Sequence, residues 1–198
     1  MKKIILLVTL VIGFSIPNHA MPIGTSSHVS PWIESYLYTS FSTLHAVAAK
    51  QGSGIILSTS MMISSATTVT VPVYVVKGGG FTKSGSGTLA ITGPFEAGLY
   101  QVFTGFSAGN ITGLKKSYSE WFGAKGDGTT DDVLALQTGV DSCSYGTFYL
   151  GAGTFKTTNY IYSQNVDIIG TGTNKSIINF YGGSADHTLS FALYFRAT

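Results

Sequence analysis

The sequence predicts an all-β protein of short strands stacked as a solenoid, with a short N-terminal capping helix. Three observations point there. Only 10% of the 198 residues are charged while 44% are apolar, which calls for a buried core rather than a disordered chain. Gly accounts for 25 residues, and twelve Phe with eleven Tyr add large packing surfaces. β-Branched and aromatic runs of three to five residues alternate with Gly-rich breaks, a rhythm that suits coils of three faces and three corners.

The N-terminus is patterned for export. Lys2 and Lys3 precede an apolar run over residues 4–16, and Pro17-Asn18-His19-Ala20 follows. A charged start, an apolar middle and a small-residue exit make residues 1–20 a signal peptide cut near Ala20, hence a secreted protein, extracellular or periplasmic. A membrane anchor is the alternative, but the run is short for a span. No stable membrane span is expected once the signal is removed. Cys143 is the only cysteine, so no internal disulfide can form. With no His near it in sequence, Cys143 reads as a small buried side chain near a helix end rather than a nucleophile. A net charge of +2 gives no reason to expect a nucleic-acid partner.

Residues 21–53 form a leader. Apolar side chains at 41, 44, 47 and 48 predict a helix over 41–50, capped by Ser40 or Ser42 and stopped by Gly52. His45 on this helix reads as a surface or packing residue, not a ligand. Residues 54–116 form a strand-rich prefix, with runs at 55–57, 68–76, 88–92 and 100–103 separated by glycines. Their centres lie roughly 12 to 18 residues apart, near the spacing of stacked coils. Alone, this stretch also fits a sandwich or a barrel.

Residues 118–122 read as another β-like run. Gly123-Ala124-Lys125-Gly126-Asp127-Gly128-Thr129-Thr130-Asp131-Asp132 then combines turn chemistry with a helix start. Thr129 or Thr130 can cap a helix over 133–140, and Asp131 and Asp132 suit its first turn. Further strands are expected at 147–150, 154–156, 159–162, 166–169, 177–180 and 189–195.

The stretch from Glu120-Trp121-Phe122 through Asp132, with Leu136-Gln137 on the helix, resembles the opening motif of the pectate-lyase superfamily. Rhamnogalacturonase- and epimerase-like proteins and many phage tailspike modules belong to it. Gly146-Thr147-Phe148-Tyr149-Leu150-Gly151-Ala152-Gly153-Thr154-Phe155 resembles the family's first strand pair, with Gly151 where Pro is usual. Val166-Asp167-Ile168-Ile169-Gly170 resembles the strand after it. The resemblance covers about residues 118–180. It implies a right-handed parallel β-helix over residues 117–198, and residues 54–116 resemble the prefix some members carry. The helix then serves as a lid over the open end of the column. Val133, Leu134, Leu136 and Val140 would face the first coil, and burying three such side chains gives roughly 5–8 kcal/mol of gross stabilisation.

No catalytic residue is assigned, and no cofactor-binding or metal-ligating residue. Asp127, Asp131 and Asp132 form a carboxylate cluster that can serve as a Ca²⁺ site or an acid/base pair. The EF-hand spacing is missing, and helix-start carboxylates ordinarily act as caps, so the structural role is favoured. Asp167 can pair with Asp186 only if the coils align them. The motifs that the resemblance implies for hydrolases (Asn-Thr-Asp, paired Asp within a strand, His-Gly, Arg-x-Lys) do not occur after Phe180, where Asp186, His187 and Arg196 are the candidates. Tyr145, Phe148, Tyr149, Tyr160, Tyr162, Tyr181 and Tyr194 offer either a sugar-stacking surface or core ladders, and core packing is favoured for each.

The leading expectation is therefore a secreted module of carbohydrate-active type, a truncated or minimal member that binds polysaccharide or serves structurally. One alternative is a lyase or hydrolase of pectin-like polysaccharide acting through Asp167, Asp186 and His187. Another is an adhesin or tailspike-like homotrimer.

Overall fold

Short β-branched runs between glycines become short strands, because each glycine turns the chain before a strand can lengthen. A computed structural model describes residues 32–143 and 145–181, with the strand backbones at 187–190 and 195–196. The signal segment, the start of the leader, Asp186 and Tyr194 lie outside the described residues. Of His187 and Arg196 only the strand backbone is described.

In chain order the elements are β1 (Trp32–Glu34), a 3-10 turn (Ser35–Leu37), α1 (Phe41–Gln51), β2 (Gly54–Leu57), β3 (Ser60–Ile63), β4 (Ala66–Val69) and β5 (Val73–Val75). Next come β6 (Gly80–Lys83), β7 (Thr88–Ile91), β8 (Phe95–Ala97), β9 (Phe103–Thr104), β10 (Ile111–Thr112) and β11 (Lys116–Tyr118). A second 3-10 turn (Ser119–Phe122) leads to β12 (Asp127–Asp131), α2 (Val133–Ser142), β13 (Thr147–Leu150) and β14 (Gly153–Thr157). Last are β15 (Asp167–Gly170), β16 (Ser176–Phe180), β17 (His187–Ser190) and β18 (Phe195–Arg196).

The strands form five sheets, ordered β1-β2-β5-β8, β3-β6-β9, β10-β7-β4, β11-β13-β15-β18 and β12-β14-β16-β17. All pairs are parallel except β15 with β18 and β16 with β17, which are antiparallel. From β2 to β10 the chain visits the first three sheets in turn, three times. Ile55 pairs with Val73, Met61 with Phe81, Val73 with Phe95 and Leu89 with Ile111, so the same sheet is regained after 18 to 22 residues. The spacing expected from sequence was shorter, because it ran between strands of different sheets: the run at 68–76 is two strands, β4 and β5, in separate sheets. Pro72 breaks it, with no N–H to donate, and its carbonyl accepts from Ile55 N–H at 2.8 Å.

Alternate side chains point inward. Ile55, Val73 and Phe95 are register partners on one wall, and Met61, Phe81 and Phe103 on another; all six are buried. Phe81, Phe103 and Phe122 continue as a stacked ladder, with ring centroids 6.1 and 5.3 Å apart. The same buried cluster continues through Leu136, Phe148 and Phe155.

Corner glycines admit the neighbouring layer. A Cβ built on Gly87 would run into the Ile63 carbonyl oxygen, one layer earlier. Gly87→Ala should therefore lower folding stability by about 1–3 kcal/mol. Urea unfolding checks this, and an unshifted midpoint would contradict it.

Helix α1 follows the sequence reading. Ser40 Oγ accepts from Thr43 N–H at 3.2 Å, and Gly52 closes the helix at φ 64°. Phe41, Leu44 and Ala48 are buried over β2 and β3. Four expectations need correction. Residues 118–122 are the end of β11 plus a 3-10 turn, whose left-handed Gly123 (φ 82°) redirects the chain. Residues 159–162 form no strand, because Gln137 supplies the backbone partners there: Tyr162 N–H donates to its Oε1 at 2.8 Å, and its Nε2 donates to the Tyr162 carbonyl at 2.9 Å. The backbone described within 189–195 belongs to two separate strands, β17 and β18. Finally, α2 is not a lid over an open end. It packs on β10, β11 and the second 3-10 turn, with the ten strands of the first three sheets before it. Leu136 and Val140 are buried as expected, but Leu134 is 58% exposed and Val133 only half-buried, since α2 faces the stacked strands on one side alone.

Candidate functional site

Three of the chain's nine carboxylates, Asp127, Asp131 and Asp132, gather where β12 meets α2. β12 is irregular: Asp127 pairs with Thr154 and Asp131 with Lys156, so four steps along β12 match two along β14. The slack folds Thr129 and Thr130 back onto Asp127. Its carboxylate accepts from Thr129 N–H (2.8 Å), Thr130 N–H (2.7 Å) and Thr130 Oγ1 (2.8 Å). Those bonds, led by the Thr130 and Thr129 amides, hold its pKa well below the usual carboxylate range. The threonines thus serve Asp127 and do not cap the helix.

Asp132 occupies the N-cap position of α2, yet its side chain makes no cap bond. Its oxygens accept instead from Lys125 N–H at 2.7 Å and Gly126 N–H at 3.0 Å. Burial raises its pKa, with the neighbouring Asp127 and Asp131 charges adding to the rise and the two amides opposing it. Asp131 caps in its place, accepting from Val133 N–H at 3.2 Å, and also receives the Thr158 hydroxyl. Burial pushes Asp131 up, but the bonds from Thr158 and Val133 and the charge of Lys156 outweigh it, and the net pKa is lowered. All three carboxylates are thus committed to the local backbone. Among the described residues, no group of three or more His, Cys, Asp or Glu is arranged to hold a metal ion.

The face beside this cluster has free chemistry. On β14, Phe155 and Thr157 point inward and are buried, so Lys156 between them points outward. Lys156 is in register with Asp131 on one side and Asn179 on the other. Its ammonium lies 5.4 Å from the centroid of the Tyr181 ring. Tyr160 stacks on Phe180 at 4.6 Å and 22°, with Tyr162 at 6.4 Å from Tyr160. Tyr160, Tyr162 and Tyr181 are all exposed. The other aromatic candidates divide: Phe148 is core, Tyr149 is half-buried and stacks on Tyr118 at 5.0 Å, and Tyr145 is exposed in a left-handed turn (φ 59°).

A cleft of about 310 Å³ opens between residues 101–107 and the start of α2. Its polar groups are largely engaged: Thr130 bonds Asp127, Thr138 bonds the Leu134 carbonyl, and Ser107 bonds Asn110. It is a packing seam where a helix replaces a strand. Cys143 is fully buried, as expected, and burial pushes its thiol up to about 11. Gly151 has a local reason for not being Pro. Its N–H donates to Ser119 Oγ at 3.0 Å, and a Cβ there would meet the Glu120 carboxylate.

Sequence reasoning missed Lys156. Its signal was the alternation of 155, 156 and 157, which sets one cation between two inward side chains.

Largely parallel sheets without a closed barrel, joined at a Gly-Asp-Gly loop to a helix, make this an all-β protein. Residues 120–192 match the family model described as "Rhamnogalacturonase A/epimerase, pectate lyase-like", so that segment is similar to the pectate lyase-like proteins, a carbohydrate-active family. Alginate lyase 7 of Azotobacter vinelandii is 36% identical over 73 residues, covering 31% of this chain. The chain spans 8% of the length of that relative. No solved structure matches significantly. Among the described residues, no helix is long and apolar enough to cross a membrane.

Proposed function

We propose that the chain is a secreted module that winds as a right-handed parallel β-helix and binds an acidic polysaccharide along the outer face of β12, β14 and β16. One observation carries this reading: Lys156 points outward from β14 with its ammonium 5.4 Å from the centroid of the exposed Tyr181 ring. Tyrosine faces pack against the C–H face of a pyranose ring, and an ammonium neutralises a uronate carboxylate. The return to each of the first three sheets after 18 to 22 residues supports the winding, because it places like positions of successive layers side by side. The carboxylates in reach are engaged by backbone and threonine groups, which favours binding over turnover.

Affinity electrophoresis against alginate and pectate, with a neutral glucan as control, tests the proposal. Lys156→Ala and Tyr181→Ala should each weaken polyuronate binding about tenfold. Unchanged binding in both variants, or equal retention by the neutral glucan, would overturn it. The similarity to alginate lyase 7 favours a second reading, a polysaccharide lyase. Release of unsaturated product from either polyuronate would establish that reading.

A further inference from the structure

Helix α1 lies over β2 and β3 and is fastened by a titratable side chain. His45 sits on the rim of the helix's buried face, its ring centroid 5.9 Å from that of Phe41. The imidazole Nε2 accepts a hydrogen bond from the Thr70 backbone N–H at 3.0 Å, and the Thr70 hydroxyl is 3.3 Å from the same nitrogen. Thr70 opens the corner between β4 and β5, so the bond ties the helix to the end of the first circuit of the three sheets. The other α1 side-chain hydrogen bonds among the described residues stay within its own N-terminal turn, at Ser40, Ser42 and Thr43.

We propose that His45 is a pH-dependent latch that holds α1 to the Thr70 corner when neutral and releases it when protonated. An imidazole nitrogen accepts only while it keeps its lone pair. Protonation sets an N–H against the Thr70 N–H. The threonine hydroxyl can rotate to accept from the ring, but the amide then has no acceptor in the protein.

Among the described residues, the strands beneath α1 bring no second titratable group to this contact. β2 and β3, on which α1 packs, contain no titratable residue, and neither does β4. β5 contributes Tyr74, exposed on its outer face, and β6 contributes Lys83, whose ammonium is bonded to the Gly85 carbonyl at 2.9 Å. On α1 itself the other ionisable group is Lys50, in the last turn. Burial lowers the imidazole pKa below its ordinary 6.5. A lowered folded pKa means that the contribution to stability is present above 6.5 and is lost as pH falls through that value and then through the folded one.

The test is an NMR titration of the full chain, with amide hydrogen exchange read as protection factors at about pH 7.5 and about pH 4.5. His45 should titrate below 6.5, and protection at Thr70 and along α1 should fall roughly tenfold in acid. His45→Gln keeps a carbonyl acceptor that does not titrate, so its α1 protection should be the same at both pH values. A His45 pKa at or above 6.5, or equal acid loss of protection in wild type and His45→Gln, would overturn the latch.

Discussion

Trp121→Ala is expected to cost about 3–5 kcal/mol of folding stability. Trp121 is fully buried at the seam between two groups of sheets. β8 ends the first sheet and β11 begins the fourth, and no ladder joins them. The indole fills that gap. Its ring meets Phe95 of β8 edge-on at 5.5 Å and Tyr118 of β11 at 5.1 Å. Its Nε1 donates to the Gly98 carbonyl at 2.8 Å, and its own carbonyl accepts from Val102 N–H at 2.9 Å. Truncation removes the ring contacts to both strands and leaves the Gly98 carbonyl without its donor. A further side-chain link across the seam, the ion pair of Lys116 with Glu96 at 2.9 Å, is partly exposed and contributes at most about 1 kcal/mol. Packing therefore decides this junction. Denaturant unfolding followed by circular dichroism reads the loss. Trp121→Phe, which keeps a ring but not the donor, should fall between wild type and alanine. A loss below about 1 kcal/mol in Trp121→Ala would show that the two sheet groups do not depend on the indole.

The sequence announces local structure here better than long-range placement. Helix α1 was legible to within a residue, because Ser40, Gly52 and the spacing of Phe41, Leu44 and Ala48 are local signals. The strand pair at 147–150 and 153–157 was legible for the same reason. What failed depended on partners far along the chain. The run at 159–162 has strand-like residues, but Gln137 takes its backbone bonds. Leu134 has the hydrophobicity of a core residue, but α2 is covered on one side only. The placement of α2 inside the stack, rather than over its end, followed from the prefix strands, whose three-sheet cycle was hidden while residues 68–76 read as one strand. Of the candidate site, the carboxylate cluster was found and its caps misassigned. Thr129 and Thr130 have capping chemistry, but the bulge in β12 turns them toward Asp127, and Asp131 meets Val133 instead.

Asp132→Ala should cost about 2–4 kcal/mol, because two backbone N–H groups of the Gly-Asp-Gly loop share this one carboxylate. The side chain is almost wholly buried, so solvent poorly replaces what it provides. Without it, the chain from Lys125 to Gly126 loses its tie to the start of α2, and the loop's position over Phe155 is loosened. Asp132→Asn separates hydrogen bonding from charge. The amide keeps one oxygen but turns an NH₂ toward the second backbone donor, so a smaller loss is expected. The pH dependence carries a definite sign. Burial raises the folded pKa of Asp132 above its unfolded value, so the folded state holds the proton more tightly. Its contribution is fully present below the unfolded pKa and declines as pH rises through the folded one. The stability advantage of wild type over Asp132→Asn should therefore shrink as pH climbs from the ordinary carboxylate range through the raised value. Asp127, whose pKa is depressed, acts in the opposite direction and weakens the fold as pH falls. Urea titrations of wild type and Asp132→Asn across the acid range isolate the first effect, since Asp127 is common to both. An advantage that grows with pH would mean that the loop amides stabilise the Asp132 charge by more than burial penalises it.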